Sequence, residues 1–149
     1  MLIIFDIDGT LADPFKRLPL ILKQFPKDWD GFFSRVKEDL PIIQIVHMCK
    51  SLMKYHTVLF VTGRSSVCAE DTEQWLRLHL GIQEGYAVEL YMRSEQDRRQ
   101  DYVVKRELLH EIAAIYGKFP DLAFEDRQQV VDMYREQGIR VCQVDKGDF

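Results

Sequence analysis

Short apolar runs alternating with stretches of helical periodicity are the feature of this 149-residue sequence that most limits its fold. Five predicted strands lie at residues 2–5, 57–61, 88–92, 122–124 and 139–144; the pattern is weaker at 88–92, which contains Glu89, and residues 139–144 include Arg140 and Gln143. Apolar runs without polar alternation are typical of strands buried on both faces of a parallel sheet. Strands and helices alternating at this spacing predict an α/β fold, a Rossmann-like and mostly parallel sheet with helices on both faces.

The segments between the apolar runs predict four helices. Pro41 is expected at the first position of the first helix, where its missing amide hydrogen costs nothing. The others are predicted over about residues 66–80, 101–116 and 127–137, and a glycine follows each of them. In the helix at 101–116, we expect these side chains to face the core: Val104, Leu108, Ile112 and Ile115.

The segment from residue 14 to residue 40 interrupts this alternation. Prolines and Gly31 divide it into short pieces that are rich in Phe and Leu and contain Trp29. We interpret it as a small helical, cap-like insertion within a single domain that covers residues 1–149.

Charge and hydropathy narrow the class of protein. With 20 Lys and Arg against 24 Asp and Glu, the net charge is −4, which does not favour coating of duplex DNA. A local basic patch could still bind a nucleic-acid end. Because Asp6 stops the first apolar run, that run is too short for a signal sequence or a membrane span. We therefore expect a soluble, cytoplasmic protein that does not bind membranes. No protein partner and no oligomeric state can be predicted from the sequence.

Polar and charged side chains follow three of the predicted strands. They are Asp6 and Asp8, Thr62 and Arg64, and Glu125 and Asp126. In a parallel sheet the carboxyl ends of the strands lie at one edge, where ligands bind. Asp6 and Asp8 would point to the same face if the strand continued through them, and Asp126 would add a third carboxylate. Such a cluster favours Mg²⁺, which prefers oxygen ligands.

Metal-assisted phosphoryl transfer is the chemistry that such a cluster favours. One aspartate can attack phosphorus and form an aspartyl-phosphate, while a second carboxylate protonates the leaving oxygen and then activates water. Lys105, near the start of a predicted helix, could neutralise the phosphoryl oxygens.

Four motifs in order resemble those of the haloacid dehalogenase (HAD) superfamily. They are Asp6-Ile7-Asp8-Gly9-Thr10, Thr62-Gly63-Arg64, Lys105 and Glu125-Asp126. The resemblance implies a HAD-type sheet, Asp6 as nucleophile and Asp8 as general acid and base. It also implies phosphate contacts from Thr62 and Lys105. Mg²⁺ would be held by Asp6, the backbone carbonyl of Asp8 and Asp126.

A narrower resemblance covers mainly the C-terminal part of the chain. Residues 92–97, 99–105, 125–131 and the ending Gly147-Asp148-Phe149 are similar to the 3′-phosphatase domain of phage polynucleotide kinase/phosphatases. This implies removal of a terminal 3′-phosphate from DNA or RNA, as in the repair of nucleic-acid ends. It also implies that Arg17 and Arg64 bind the phosphate. Asp101 and Glu125 would be supporting residues of the site, Glu125 beside the metal ligand Asp126. Without a GxxxxGK[ST] motif, no 5′-kinase activity is expected.

Several alternatives stay open at this point. Asp126 could cap the helix that begins near Arg127, in addition to binding metal. Three aromatic residues of the insertion, Trp29, Phe32 and Phe33, could stack on a terminal base or could simply pack the insertion. A group of basic residues could form either a track for a polynucleotide or a solvated surface; it comprises Arg93, Arg98, Arg99, Lys105 and Arg106.

Two other functions compete with a polynucleotide 3′-phosphatase. A small-molecule phosphatase such as a nucleotidase would use the same chemistry on a different substrate. A catalytically silent binding module would keep the fold without the reaction, but the four intact motifs argue against it. A short insertion favours a site open to a chain end, because enzymes for small substrates often close a large cap over them.

Overall fold

The computed structural model describes residues 1–147; Asp148 and Phe149, part of the C-terminal stretch discussed above, lie outside the described residues. The strands are β1 (Leu2–Phe5), β2 (Ala12–Asp13), β3 (Leu40–Pro41), β4 (Thr57–Ser65), β5 (Leu90–Arg93), β6 (Leu122–Glu125) and β7 (Arg140–Gln143). The α-helices are α1 (Pro19–Leu22), α2 (Trp29–Ser34), α3 (Ile43–Met53), α4 (Ala69–Leu80), α5 (Asp101–Tyr116) and α6 (Gln128–Glu136). None of these helices combines the length and the apolar composition needed to cross a membrane.

Five parallel strands form the main sheet in the order β5-β4-β1-β6-β7, which confirms the predicted α/β fold. The central strand β1 pairs on one side with β4, Leu2 opposite Thr57, and on the other with β6, Ile3 opposite Leu122. The chain builds the sheet outward from β1 first in one direction and then in the other. The carboxyl end of β1 therefore lies at the switch point, where ligands bind in such sheets.

Alternating side chains of β1 divide the core into two layers. Ile3 and Phe5 pack on the face covered by α3 and α4, where they meet Val46, Cys49, Trp75 and Leu76. Leu2 and Ile4 pack on the face covered by α5 and α6, where they meet Leu109, Ile112, Val130 and Met133. Burial on both faces explains why the β1 sequence is continuously apolar.

Two details of the predicted helices are wrong. The helix α3 begins at Ile43, and Pro41 lies in β3 instead, since it pairs with Ala12 and the Ile42 amide donates to the Leu11 carbonyl at 2.8 Å. In α5, Leu109 is buried, whereas Ile115 is 62% exposed. The predicted end of α5 at Gly117 is confirmed by the left-handed φ of +73° at that glycine.

The insertion at residues 14–40 contains α1, α2 and a 3-10 helix at Val36–Glu38. The antiparallel pair β2 and β3 joins its two ends, with Asp13 opposite Leu40. The insertion therefore leaves and re-enters the domain at one place, close to the carboxyl end of β1. Its cap-like role stays a prediction.

Candidate active site

The carboxyl ends of β1, β4 and β6 meet at one edge of the sheet, and the predicted site residues lie there. Asp6 directly follows β1, and its amide donates to the Phe124 carbonyl of β6 at 3.0 Å. Thr62 lies within β4, and Glu125 is the last residue of β6. Pairing on both sides of β1 thus brings together side chains from three distant segments of the chain.

Lys105 is buried in α5 and joins this group through its ammonium. Its Nζ atom lies 2.6 Å from Asp6 Oδ1 and 2.8 Å from Glu125 Oε2. A third carboxylate, that of Asp101 one turn earlier in α5, lies 3.5 Å away. The side chain of Lys105 is only 1% exposed. Lys105 therefore fixes the orientation of Asp6 instead of lying on the helix surface.

Burial controls the protonation of this cluster. It raises the pKa of Asp6 to about 7, and the negative charge of Glu125 adds to this effect, while Lys105 opposes it. Burial likewise raises the pKa of Glu125 and that of Asp126, each to about 7. Burial alone would lower the pKa of Lys105, but the carboxylates around it outweigh burial and hold that pKa well above its ordinary value. Lys105 is therefore a permanent cation among these carboxylates.

A divalent cation fits the space among three carboxylates. Asp6, Glu125 and Asp126 each offer an oxygen, and these oxygens lie within 4.8 Å of one another. Asp6 Oδ2 is buried and has no hydrogen-bond partner among the described residues. A side chain at Gly9 would collide with Asp126, since its Cβ would lie 2.2 Å from Oδ2. The cluster has the hard oxygen donors that Mg²⁺ requires, and Gly9 leaves room beside them.

Glu125 and Asp126 use their carboxylates differently. Both oxygens of Glu125 are engaged, because Oε2 accepts from Lys105 and Oε1 accepts from the amides of Asp126 and Arg127. Within residues 1–147, the carboxylate of Asp126 accepts a single long hydrogen bond, from Thr10 Oγ1 at 3.5 Å. Arg127 is the N-cap residue of α6 and makes no side-chain cap hydrogen bond to the described residues, so capping by Asp126 is wrong. Asp126 therefore has the more available oxygens.

Asp8 points away from this carboxylate cluster and contacts two arginines. Its Oδ1 accepts hydrogen bonds from Arg17 Nη2 at 2.5 Å and from Arg64 Nη2 at 2.6 Å. Burial would raise the pKa of Asp8, but Arg64 and Arg17 outweigh it and lower this pKa. The cation beside the Asp8 carboxylate is thus a guanidinium pair, and a part for Asp8 in metal binding stays a prediction. Its backbone carbonyl is a separate ligand candidate.

Asp39 is a site residue that the sequence analysis missed. Its carboxylate accepts from Arg17 Nε at 2.8 Å and from Arg64 Nη2 at 3.0 Å, so it holds the same two arginines as Asp8. Its carbonyl accepts from Trp75 Nε1 at 2.9 Å, which anchors its backbone on α4. No local motif surrounds Asp39. It reaches the site only because the insertion returns to the domain beside β2.

Arg17 and Arg64, both predicted to bind phosphate, converge in the structure. The two side chains are almost fully buried, and both reach Asp8 at the site. Arg17 Nη1 is buried without a partner among the described residues, and binding of phosphate by this arginine stays a prediction. Arg64 Nη1 donates to Thr72 Oγ1 at 3.1 Å, which fixes the plane of its guanidinium.

Thr62 and Asp101 flank a close approach at Gly63. Thr62 Oγ1 accepts from the Arg64 amide at 3.2 Å, at a register irregularity of β4 between Thr62 and Ser65. A Cβ at Gly63 would lie 1.9 Å from Asp101 Oδ1, so only glycine permits this contact. Asp101 also contacts Lys105 and Arg127, the latter at 3.4 Å. Asp101 therefore connects α5 to β4 at Gly63, directly after Thr62, the threonine predicted to bind phosphate.

The basic group proposed from the sequence is not a continuous track. Lys105 is buried in the site, and Arg106 points toward Glu136, 3.9 Å away. Arg93 Nε donates to the Gly63 carbonyl at 2.8 Å. Arg93 therefore stabilises the backbone of β4 directly after Thr62, a role that sequence reasoning did not identify. Of the remaining residues, Arg99 pairs with two carboxylates, which belong to Asp97 and Glu107.

A cleft of about 460 Å³ opens over Asp6 and Asp8. Its lining contains six cations against four carboxylates, although the whole chain has a net charge of −4. The cations are Lys27, Arg64, Arg93, Arg98, Arg99 and Arg127, and the carboxylates are Asp6, Asp8, Asp97 and Asp101. The cleft therefore favours an anionic ligand more than the rest of the protein does. The insertion contributes an apolar part of the lining, from Ile21, Leu22, Trp29, Phe32 and Phe33.

The fold and the site define the class of protein. The sheet is doubly wound, an aspartate pair follows its central strand, and neighbouring segments contribute a lysine and a second acidic pair. The protein belongs to the HAD superfamily. Within that class, a family model of the polynucleotide kinase PNKP phosphatase domain matches residues 1–149. The chain belongs to this family, and the resemblances drawn from its motifs are confirmed.

Solved structures agree with this assignment. The protein is 30% identical to a chain in the structure of a Pnkp1/Rnl/Hen1 complex, with a TM-score of 0.76. The match covers 99% of the protein and 47% of that chain. A second structure, of the Pnkp1/Rnl/Hen1 RNA repair complex, gives 31% identity, a TM-score of 0.74, and coverage of 99% and 43%. The protein thus spans less than half the length of these relatives. A haloacid dehalogenase-like hydrolase from Streptococcus pneumoniae, SP0104, shares the fold at 16% identity and a TM-score of 0.64, with coverage of 95% and 83%.

Proposed function

We propose that the protein removes terminal 3′-phosphates from DNA or RNA in a Mg²⁺-dependent reaction. Membership of the PNKP phosphatase family supports this substrate. The cationic lining of the cleft supports it as well, because a polynucleotide end carries further negative charge beyond the phosphate that is removed. Two matched structures come from complexes of Pnkp1, one of them described as an RNA repair complex, which agrees with a role at nucleic-acid ends.

The observation that carries the proposal is the arrangement of Asp6. One of its carboxylate oxygens is held by Lys105, and the other is without a partner among the described residues. A carboxylate fixed by one oxygen keeps the other aligned, which is what a nucleophile needs.

In the first step, an oxygen of Asp6 attacks the phosphorus of the terminal 3′-phosphate. The bond between Asp6 and phosphorus forms as the bond from phosphorus to the 3′-oxygen breaks, and Asp8 donates a proton to that oxygen. Because Arg64 and Arg17 lower the pKa of Asp8, its protonated form is reached once the substrate phosphate has taken up these two guanidiniums. The nucleic acid leaves with a 3′-hydroxyl. Lys105, Thr62, Arg64 and Arg17 contact the phosphoryl oxygens and stabilise their charge.

In the second step, water attacks the phosphorus of the aspartyl-phosphate. Asp8, now ionised, accepts a proton from that water, the bond from Asp6 to phosphorus breaks, and inorganic phosphate is released. The enzyme returns to its starting protonation state.

Asp6, Asp126 and the backbone carbonyl of Asp8 would hold the Mg²⁺ ion. When bound, the ion neutralises phosphoryl charge that Lys105 alone does not balance. Glu125 supports the site by orienting Lys105 and the amide of Asp126, since both of its own oxygens are already engaged.

A small-molecule phosphatase is the competing function, and the cleft volume keeps it in consideration. About 460 Å³ is within the range of pockets that enclose one small ligand. The test is phosphate release with Mg²⁺ from a 3′-phosphorylated oligonucleotide, a 3′-mononucleotide and a 5′-mononucleotide, each as DNA and as RNA. A clear preference in kcat/KM for the oligonucleotide supports the proposal, whereas equal or faster turnover of the mononucleotides makes the protein a nucleotidase.

Asp6→Asn is the blank for this experiment, and Asp30→Asn is its matched control. Asn has nearly the same size as Asp but is not a nucleophile, so Asp6→Asn should abolish phosphate release without loss of the fold. Asp30 is exposed on α2, and its substitution should change nothing. Near wild-type activity in Asp6→Asn would refute the assignment of the nucleophile.

A further inference from the structure

Three aromatic rings of α2 form a cluster, which we call the aromatic ledge: Trp29, Phe32 and Phe33. The Trp29 ring lies 5.8 Å from the Phe32 ring and 5.9 Å from the Phe33 ring, between centroids. Asp28 caps the helix by accepting from the Gly31 amide at 2.8 Å. The rings thus have a fixed mutual arrangement on a capped helix.

The ledge is connected to the reacting groups through one residue. The guanidinium carbon of Arg17 lies 4.2 Å from the centroid of the Phe32 ring, and Arg17 Nη2 contacts Asp8. Phe32 is buried beneath this contact, whereas Trp29 is 40% exposed. Trp29 and Phe33 line the same cleft as Asp6 and Asp8. The exposed ring of Trp29 is therefore connected through Phe32 to Arg17, the arginine proposed to bind the phosphate.

Packing of the insertion accounts for Phe32 but not for Trp29. Phe32 is 5% exposed and fills the space between α2 and Arg17. Trp29 leaves two-fifths of its surface in solvent on the lining of the cleft, and packing of the insertion does not account for this exposed part. Large aromatic surfaces at such positions are typical of ligand contacts.

Cations beside the ledge point to the class of ligand. Lys27 Nζ lies 5.7 Å from the centroid of the Trp29 ring, and Lys27 has no carboxylate partner among the described residues. Arg98 also lines the cleft, and the contact that it makes within residues 1–147 is a hydrogen bond from Nη1 to the Glu95 carbonyl at 3.2 Å. Flat aromatic surface combined with cations matches a nucleotide, with its planar base and its phosphate.

We propose that the aromatic ledge is a binding site for the base of the substrate's terminal nucleotide, with Trp29 stacking on that base. This inference rests on the proposed function. It means that the insertion selects substrates whose terminal nucleotide carries a base. A stacking contact requires an accessible base face and tolerates any base, so the site favours unpaired ends without sequence preference.

The test uses two single-stranded oligonucleotides with a 3′-phosphate that differ only in the last nucleotide, which either carries a base or is abasic. The wild-type protein should favour the base-bearing end by about 10-fold or more in kcat/KM, as expected for one stacking contact. In Trp29→Ala this ratio should fall to near one, and in Trp29→Phe most of it should be retained. Tyr55→Ala is the matched control, since Tyr55 is 82% exposed and outside the cleft lining.

The ratio separates stacking from a structural role. If Trp29 only packed the insertion, Trp29→Ala would slow both substrates equally and leave the ratio unchanged, which would overturn the inference. Should Trp29→Ala fail to fold, the wild-type ratio and the Trp29→Phe variant still decide, since a wild-type ratio near one also overturns it. Failure of the proposed function would give a different result: the wild-type protein would turn over mononucleotides in preference to oligonucleotides.

Discussion

Lys105 Nζ lies 2.6 Å from Asp6 Oδ1, so two residues that are 99 positions apart form a buried ion pair at the centre of the site. The contact is possible because α5 places Lys105 against the end of β1. Its chemical consequence is that Asp6 is oriented by a cation on one oxygen only. Its energetic consequence is that one buried cation faces two buried carboxylates, those of Asp6 and Glu125.

Removal of this cation should damage both stability and activity. Lys105→Met keeps the length of the side chain but leaves two buried carboxylates without their partner. We expect the free energy of unfolding to fall by about 3 kcal/mol, as for other broken buried ion pairs, and phosphate release to be lost. Urea denaturation and a phosphate-release assay measure the two effects.

Lys118→Met is the matched control for this variant. Lys118 is 53% exposed, and its carboxylate partner among residues 1–147 is Asp121, three residues away. Exposed pairs contribute about 0–1 kcal/mol, so stability and activity should stay close to those of the wild-type protein. Equal losses in the two variants would show that Lys105 has no special role.

Asp39 should act as a positioning residue for the two arginines. Asp39→Asn removes the charge that holds Arg17 and Arg64, while the carbonyl of residue 39 still accepts from Trp75. We expect kcat/KM to fall about 10-fold or more, because misplaced phosphate donors weaken transition-state stabilisation. Steady-state kinetics with a 3′-phosphorylated oligonucleotide measure this change.

The neighbouring Glu38 provides the comparison for Asp39. Glu38 is 54% exposed and pairs with Arg35 at the surface, so Glu38→Gln should leave kcat/KM unchanged. A wild-type rate in Asp39→Asn would mean that Asp8 alone positions both guanidiniums.

The clustering of the proposed catalytic carboxylates was predictable from sequence, whereas the residues that support them were not. Asp6, Asp8 and Glu125-Asp126 follow buried strands, and β1, β4 and β6 must lie side by side in a sheet of this kind. Local patterns therefore contained the information about which carboxylates would meet. Asp39 has no such pattern, because only the tertiary path of the insertion brings it to Arg17.

The same distinction explains the errors in detail. Periodicity alone placed Ile115 inward, but Leu109 is buried instead, and in the last turn of α5 Tyr116 packs against the core while Ile115 is 62% exposed. Pro41 is compatible with a helix start and with an edge strand, and pairing with Ala12 decided between them. Arg93 looked like a surface cation because its acceptor, the Gly63 carbonyl, is 30 residues away in sequence.

Metal binding should stabilise the folded protein measurably. Asp6, Glu125 and Asp126 bring three carboxylates within 4.8 Å of one another, and a cation relieves their repulsion. Mg²⁺ at about 100 times its Kd should raise the free energy of unfolding by about 2.7 kcal/mol, and EDTA should reverse this gain and stop turnover. Thermal unfolding with and without Mg²⁺ measures the stability effect independently of activity.

Asp126→Asn distinguishes this site from weaker surface binding. The variant removes one charge from the cluster, so it should unfold at nearly the same temperature with and without Mg²⁺. Asp132→Asn, at an exposed position on α6, should respond to Mg²⁺ as the wild-type protein does. If Asp126→Asn gained as much stability from Mg²⁺ as the wild-type protein, the ion would bind elsewhere.

Arg98 and Arg106 belong to the same basic stretch but should differ in their effect on polynucleotide substrates. Arg98 lines the cleft, whereas Arg106 lies outside its lining, 3.9 Å from Glu136. If Arg98 contacts a backbone phosphate, Arg98→Gln should raise KM for long 3′-phosphorylated oligonucleotides and reduce the slope of log kcat/KM against log salt by about 0.7, the value for one contact with a single strand. Arg106→Gln should leave that slope unchanged. Since a 3′-mononucleotide has no further phosphate, Arg98→Gln should affect it much less, and an equal loss on both substrates would place Arg98 at the terminal phosphate instead.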